Sequence, residues 1–99
     1  MADAPIADRA ERAIRVALAD QGKLAEVAGK AGLDDDLYSR GLTSLGSVRV
    51  MLAIEHALCV EFPEEMLTRE LFATIGNLVT ACARLIGGSG RSSGAETRT

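Results

Sequence analysis

Between Thr43 and Pro63 runs a segment with more apolar residues than one face of a helix can hide. Thr43 is a favourable N-cap, with Ser44 as the first helical residue behind it. The helix can run to Leu58, and Pro63 forbids its continuation. At about 100° per residue, Val50, Met51, Ile54, Ala57 and Leu58 gather on one broad face, enough for a core. Leu45, Val48, Arg49, Leu52 and His56 gather on the opposite side. A chain of 99 residues makes a single domain, and in so small a bundle one helix cannot bury both faces. A solvent-facing stripe of Leu45, Val48 and Leu52 is therefore expected, and a contiguous apolar stripe marks a binding surface. The competing reading folds the loop over 33–42 across part of it.

The other elements follow from periodicity and punctuation. A first helix is predicted from Ile6 or Ala7, behind Pro5, with Ala10, Ile14, Ala17 and Leu18 at helical spacing and Arg9, Arg12 and Arg15 on the other face. Gly22 weakens the pattern, but Lys23 to Lys30 can continue as helix, with Leu24, Val27 and Ala28 apolar and Gly32 as its end. Leu33 to Gly41 reads as a loop with two apolar pins. A short helix is expected from Glu64 to Arg69, with acids at its N-terminal end to suit the dipole. Thr74 then caps a last helix, Ile75 to Ile86, which presents Ile75, Leu78, Val79, Cys82 and Leu85 to the core. The fold class is all-α, a small antiparallel bundle of three main helices plus one short helix. Tyr38, Phe62 and Phe72 are the only aromatics, so the core is aliphatic, which favours helices over a sandwich or barrel. The division is an N-terminal extension (1–5), the helical domain (6–86) and a disordered tail rich in Gly, Ser, Arg and Thr (87–99).

Charge and cysteine content exclude several functions. The net charge is -3, but residues 34–72 hold eight acids against three bases. No basic face exists there for nucleic acid. Asp34, Asp35, Asp36, Glu61, Glu64, Glu65 and Glu70 instead frame the stripe, whose centre is apolar and carries Arg49. That arrangement fits a protein partner with an apolar groove and a basic rim. No apolar run approaches the roughly 20 residues needed to span a bilayer, and the N-terminus lacks a signal pattern. Cys59 and Cys82 make neither a disulfide framework nor a metal cluster. Both are expected to act as small hydrophobes, reduced, in the cytoplasm.

Ser44 opens the helix beside the stripe. A helix N-terminus stabilises an anion, so Ser44 could hold phosphate. As a nucleophile it would need a base. His56, the only histidine, lies twelve residues on, about 18 Å along the same helix. The carboxylates of 34–36 are expected to lack an orienting partner. No triad, Gly-rich phosphate loop or metal-ligand set is present, and the chain is not expected to be an enzyme.

The segment Arg40-Gly41-Leu42-Thr43-Ser44-Leu45-Gly46-Ser47-Val48 resembles the Gly-x-Asp-Ser-Leu segment of acyl and peptidyl carrier proteins. Phe62-Pro63 and Leu71-Phe72-Ala73-Thr74-Ile75-Gly76-Asn77-Leu78 match that family's loop, short third helix and final helix. The resemblance covers roughly residues 6–86. It implies a four-helix carrier domain whose Ser44 receives 4'-phosphopantetheine from coenzyme A through a separate phosphopantetheinyl transferase. The thiol of that arm carries an acyl or aminoacyl group as a thioester. Ser47 is the rival attachment site; it falls on the core-facing side of the wheel, and the motif register favours Ser44.

Two departures from the pattern stand out. Thr43 replaces the usual Asp, which preserves the cap but alters what a transferase can read. The second helix also lacks the carboxylates of fatty-acid carriers, having Gly46, Arg49 and His56, with Glu55 the lone acid. Leu37 to Leu45 and Glu61 to Arg69 look like stand-alone bacterial aminoacyl carrier proteins. Those work with amino acid:[carrier protein] ligases similar to the catalytic core of seryl-tRNA synthetases. The resemblance implies cargo of glycine or alanine, activated as adenylate by the ligase, and a downstream acceptor enzyme. Leu45, Val48, Arg49 and Leu52 are the expected partner-binding residues, on a chain acting as a monomer. The alternatives are an acyl carrier in fatty-acid, lipid or polyketide synthesis, and an unmodified helical adaptor.

Overall fold

The computed structural model describes residues 5–87, apart from the side chain of Lys23. Three helices carry the fold: α1 (Ile6–Ala19), α2 (Ser44–Leu58) and α3 (Ile75–Gly87). Single 3-10 turns occupy Gly22–Glu26 and Glu64–Met66. No strand occurs among the described residues. Of the N-terminal extension and the tail, only Pro5, which precedes α1, and Gly87, which ends α3, fall within them.

The α1 helix is the hub: it packs against both α2 and α3, more extensively against α3. It buries Ala10, Ile14, Ala17 and Leu18, the residues its period singles out. It does not continue to Lys30. Gly22 adopts φ +39, outside the right-handed helical region, and the chain re-enters as a 3-10 turn. Leu24 and Ala28 still reach the core, Val27 only in part. Arg15 ties this turn to α1, donating to Glu11 Oε2 (2.9 Å) and to the Ala28 carbonyl (2.9 Å).

The segment 33–42 is stitched to the entry of α3 and leaves the outer stripe of α2 uncovered. The Leu37 amide donates to the Ala73 carbonyl and the Gly76 amide to the Leu33 carbonyl, both at 2.8 Å. A Cβ at position 76 would stand 3.1 Å from the Leu33 carbonyl oxygen, so glycine permits this approach. Leu37 and Leu42 are buried and pin the loop. Two of its carboxylates, expected to lack an orienting partner, are held. Asp35 accepts from the Gly32 amide (2.9 Å) and pairs with Arg40 (3.1 Å), and Asp36 accepts from the Tyr38 amide (3.0 Å).

Beyond α2, the expected helix from Glu64 to Arg69 contracts to the Glu64–Met66 turn. Leu67 leaves helical geometry, and Thr68 accepts from the Leu71 amide (3.2 Å), so Leu71 and Phe72 swing into the core. Thr74 caps α3 by accepting from the Asn77 amide (3.0 Å). Ile75, Leu78, Ala81 and Cys82 are buried; Val79 and Leu85 pack at the edge. Burial pushes the Cys82 thiol up to about 11, so it stays protonated at neutral pH and behaves as a small hydrophobe. Cys59 departs from that expectation. It is exposed and closes α2 in the left-handed region at φ 55.

Two stability outcomes follow. Ile54 is fully buried on α2, so Ile54→Asp places an unpaired charge in the core at a cost of several kcal/mol. A circular-dichroism melt should show no cooperative transition. Cys59→Gly removes a left-handed strain of about 1–2 kcal/mol and returns part of it through unfolded-chain entropy. A urea titration should show a net gain of roughly 0.5–1 kcal/mol.

Candidate functional site

The site is built around the first turn of α2. Thr43 sits in the extended region (φ -103, ψ 168), and its Oγ1 accepts from the Gly46 amide at 2.9 Å. Gly46 is buried, not part of the outer surface, and a Cβ there would lie 3.0 Å from Thr43 Oγ1 and 3.4 Å from Leu42 Cδ1. A side chain at position 46 would therefore make the Thr43 hydroxyl and Leu42 give by a few tenths of an ångström. Ser44, the first helical residue, is exposed, and its side chain makes no hydrogen bond among the described residues. Ser47, expected on the core side, is half-buried, and its hydroxyl donates to the Ser44 carbonyl at 2.7 Å. One hydroxyl is thus free and the other engaged.

Beside Ser44 lies a groove of about 400 Å³ between α2 and the segment 67–72. Ser44, Ser47, Val48 and Met51 form one wall, and Leu67, Thr68, Arg69 and Phe72 the other. Tyr38 joins the two. Its hydroxyl donates to the Arg69 carbonyl (3.1 Å), and the Arg69 guanidinium lies 3.8 Å from its ring centroid. Sequence reasoning missed the Tyr38–Arg69 pair, because residues 31 apart in loops share no periodic signal.

The outer face of α2 is as apolar as its wheel implies. Leu45 is 62 % exposed, Val48 47 % and Leu52 55 %, with Arg49 and His56 exposed among them. The inner face is narrower than expected: Val50 and Ile54 are buried, Met51 and Leu58 half-buried, and Ala57 is exposed. Glu55, the lone acid of α2, is engaged within the fold. Its carboxylate accepts from the Phe62 amide (2.8 Å), and its carbonyl accepts from the Cys59 and Val60 amides. Among the described residues no group of His, Cys, Asp and Glu could hold a metal ion, and no helix is long and apolar enough to cross a membrane.

The free Ser44 hydroxyl thus stands at a capped helix start, with apolar surface on one side and a groove on the other. The family model for the phosphopantetheine attachment site matches residues 13–82. The chain belongs to this phosphopantetheine-binding carrier family. Its members carry the group covalently and are not themselves catalytic. The chain is 44 % identical over 62 residues to an aminoacyl carrier protein of Agrobacterium fabrum (strain C58), a match spanning 63 % of this chain and 75 % of the relative. Its fold matches a chain in the crystal structure of an engineered Bradyrhizobium japonicum glycine:[carrier protein] ligase complexed with carrier protein from Agrobacterium tumefaciens and ATP. That match has a TM-score of 0.65 and 38 % identity, and covers 72 % of this chain and 92 % of the other. The acyl-carrier-like helical bundle expected from the sequence is the one observed.

The exposure of the stripe gives a direct test of the carrier's faces. Leu52→Asp should leave the melting temperature within about 5 °C of wild type, as an exposed substitution does. The contrast with Ile54→Asp, two residues along the same helix, is read in the same melts.

Proposed function

We propose that this carrier holds 4'-phosphopantetheine on Ser44 and carries a small amino acid, glycine or alanine, as a thioester on it. A separate ATP-dependent amino acid:[carrier protein] ligase charges it, and a phosphopantetheinyl transferase first installs the arm. The observation that carries the reading is the free Ser44 hydroxyl at the capped start of α2.

The residues around Ser44 fit the group. Ser44 is the first residue of α2, at the positive end of the helix dipole, which suits the charge of a phosphodiester. Thr43 fixes that turn, and the free hydroxyl offers an acceptor without breaking an existing bond. Once attached, the arm supplies a terminal thiol that holds the cargo. The protein's own residues perform no bond chemistry; they tether, which raises effective concentration at a partner's active site, and they present a face. Leu45, Val48, Arg49 and Leu52 form that face, and the acids beyond it suit a basic rim on the partner. Both cysteines are free, in keeping with a cytoplasmic protein.

The relative's name and the ligase complex favour aminoacyl over fatty-acyl cargo. So does α2, whose one carboxylate is turned into the 59–62 bend and is not offered to partners. Intact mass after incubation with coenzyme A and a broad-specificity transferase should show one adduct on wild type and on Ser47→Ala. Ser44→Ala should show none; an adduct persisting there, or absent from wild type, overturns the attachment site. Charging the modified protein with glycine or alanine plus ligase, against fatty acids plus an acyl ligase, decides the cargo. Leu52→Asp should slow charging while leaving arm attachment measurable.

A further inference from the structure

A second apolar surface lies on the other flank of α2, where α1 meets it. A groove of about 380 Å³ runs there, lined by Arg9, Arg12, Val16 and Asp20 of the α1 side and by Ala53 and Ala57 of α2, among others. Val16 is 63 % exposed, the most of any large hydrophobic residue described. Arg9, Arg12 and Asp20 are exposed, and none has an ion-pair partner among the described residues. Their neighbours Glu11 and Arg15, by contrast, pair with each other.

The order of these charges is self-complementary. Arg12, Val16 and Asp20 stand four residues apart on one face of α1. Val16 is thus the midpoint between a cation and an anion, each about 6 Å along the axis. A two-fold axis at Val16 lays a second α1 antiparallel on the first, so that Arg12 of each copy meets Asp20 of the other. An acidic partner would meet Asp20, and a basic one Arg12; a copy of the same face matches both of these charges, with Arg9 outside the pairing. Asp20 also stands at the C-terminus of α1, where the helix dipole disfavours an anion. Local helix stability therefore gives no reason for an acid there, whereas an antiparallel pair does.

We infer that the Arg12–Val16–Asp20 face of α1, with Ala53 and Ala57 beside it, is a self-association surface for a second copy of this chain. The contact is isologous and small, so the dimer is weak and concentration-dependent, half-formed somewhere between about 10 µM and about 1 mM. It leaves Ser44, Ser47 and the groove at Arg69 on the opposite flank of α2, and so does not depend on the carrier reading.

The test is sedimentation velocity of the full chain across that concentration range, at low and high ionic strength. Wild type should dimerise, less so in high salt. Arg12→Asp and Asp20→Arg should each weaken self-association by at least about tenfold, because like charges then face each other across the axis. An equimolar mixture of those two variants should recover the dimer, since each supplies the charge the other lacks. Asp20→Arg also puts a cation at a helix C-terminus, so a melt should find it folded at least as stably as wild type. Leu52→Asp and Ser44→Ala should dimerise like wild type. A wild type that stays monomeric throughout, a mixture that fails to recover, or a dimer lost in Leu52→Asp overturns the inference.

Discussion

The hydrogen bond from the Gly46 amide to the Thr43 hydroxyl sets where α2 begins and so places Ser44 on its first turn. Burial of Val50 and Ile54 fixes the phase of the helix. With those two inward, the step of about 100° per residue leaves Leu45, Val48 and Leu52 on the outside. The bond depends on space as much as on the donor and acceptor, since a Cβ at Gly46 would crowd the hydroxyl that accepts it. Thr43 is thus no mere stand-in for the carboxylate at this position in related carriers. It forms the same kind of cap with a neutral group, leaving the start of the helix without an added negative charge beside Ser44.

What the sequence made legible was whatever rests on local, periodic or capping chemistry. Both side-chain caps, Thr43 and Thr74, were readable because each hydroxyl stands three residues before the amide it accepts from. The α2 boundaries were readable from the Thr43 cap and from Pro63, and the outer stripe from the helical period. The end of α1 was not: Leu24 and Ala28 keep helical spacing and do reach the core, but Gly22 re-enters them on a 3-10 turn instead of a continued helix. Residues 64–69 failed for the opposite reason. Their acids and Met66 suit a helix, yet burying Leu71 and Phe72 requires the chain to turn at Leu67 and Thr68. Non-local pairs were out of reach altogether, above all Tyr38 with Arg69 and the loop amides with the entry of α3.

The acidic charges divide in the same way, between those held inside the fold and those left outside it. Counted along the chain, residues 34–72 are strongly acidic, but several of those charges are spoken for inside the fold. Asp35 pairs with Arg40 and also accepts a backbone amide, while Glu55 holds the bend after α2 through the Phe62 amide. These carboxylates fix backbone, which is why the loops at both ends of α2 can be short of regular structure and still hold their course. The acids left to face a partner are the more peripheral ones, Asp34, Glu61, Glu64, Glu65 and Glu70, all exposed. At the centre of the face stand Leu45, Val48 and Leu52, with Arg49 as its positive point.

How α2 serves several surfaces at once comes down to the sizes of its residues. On the flank toward α1 it carries Ala53 and Ala57, which leave the groove beside Val16. On the flank toward residues 67–72 it carries Ser44, Ser47, Val48 and Met51, which leave a groove. Between the two flanks runs the apolar stripe, which neither neighbour can reach to cover. Toward the core, Val50 and Ile54 are the fully buried side chains of α2, with Met51 and Leu58 packed at the edge. Leu45, Val48 and Leu52 lie outside that core, so a helix with polar residues in their place would still bury Val50 and Ile54. A contiguous apolar stripe that folding does not require is the kind of surface that partners use.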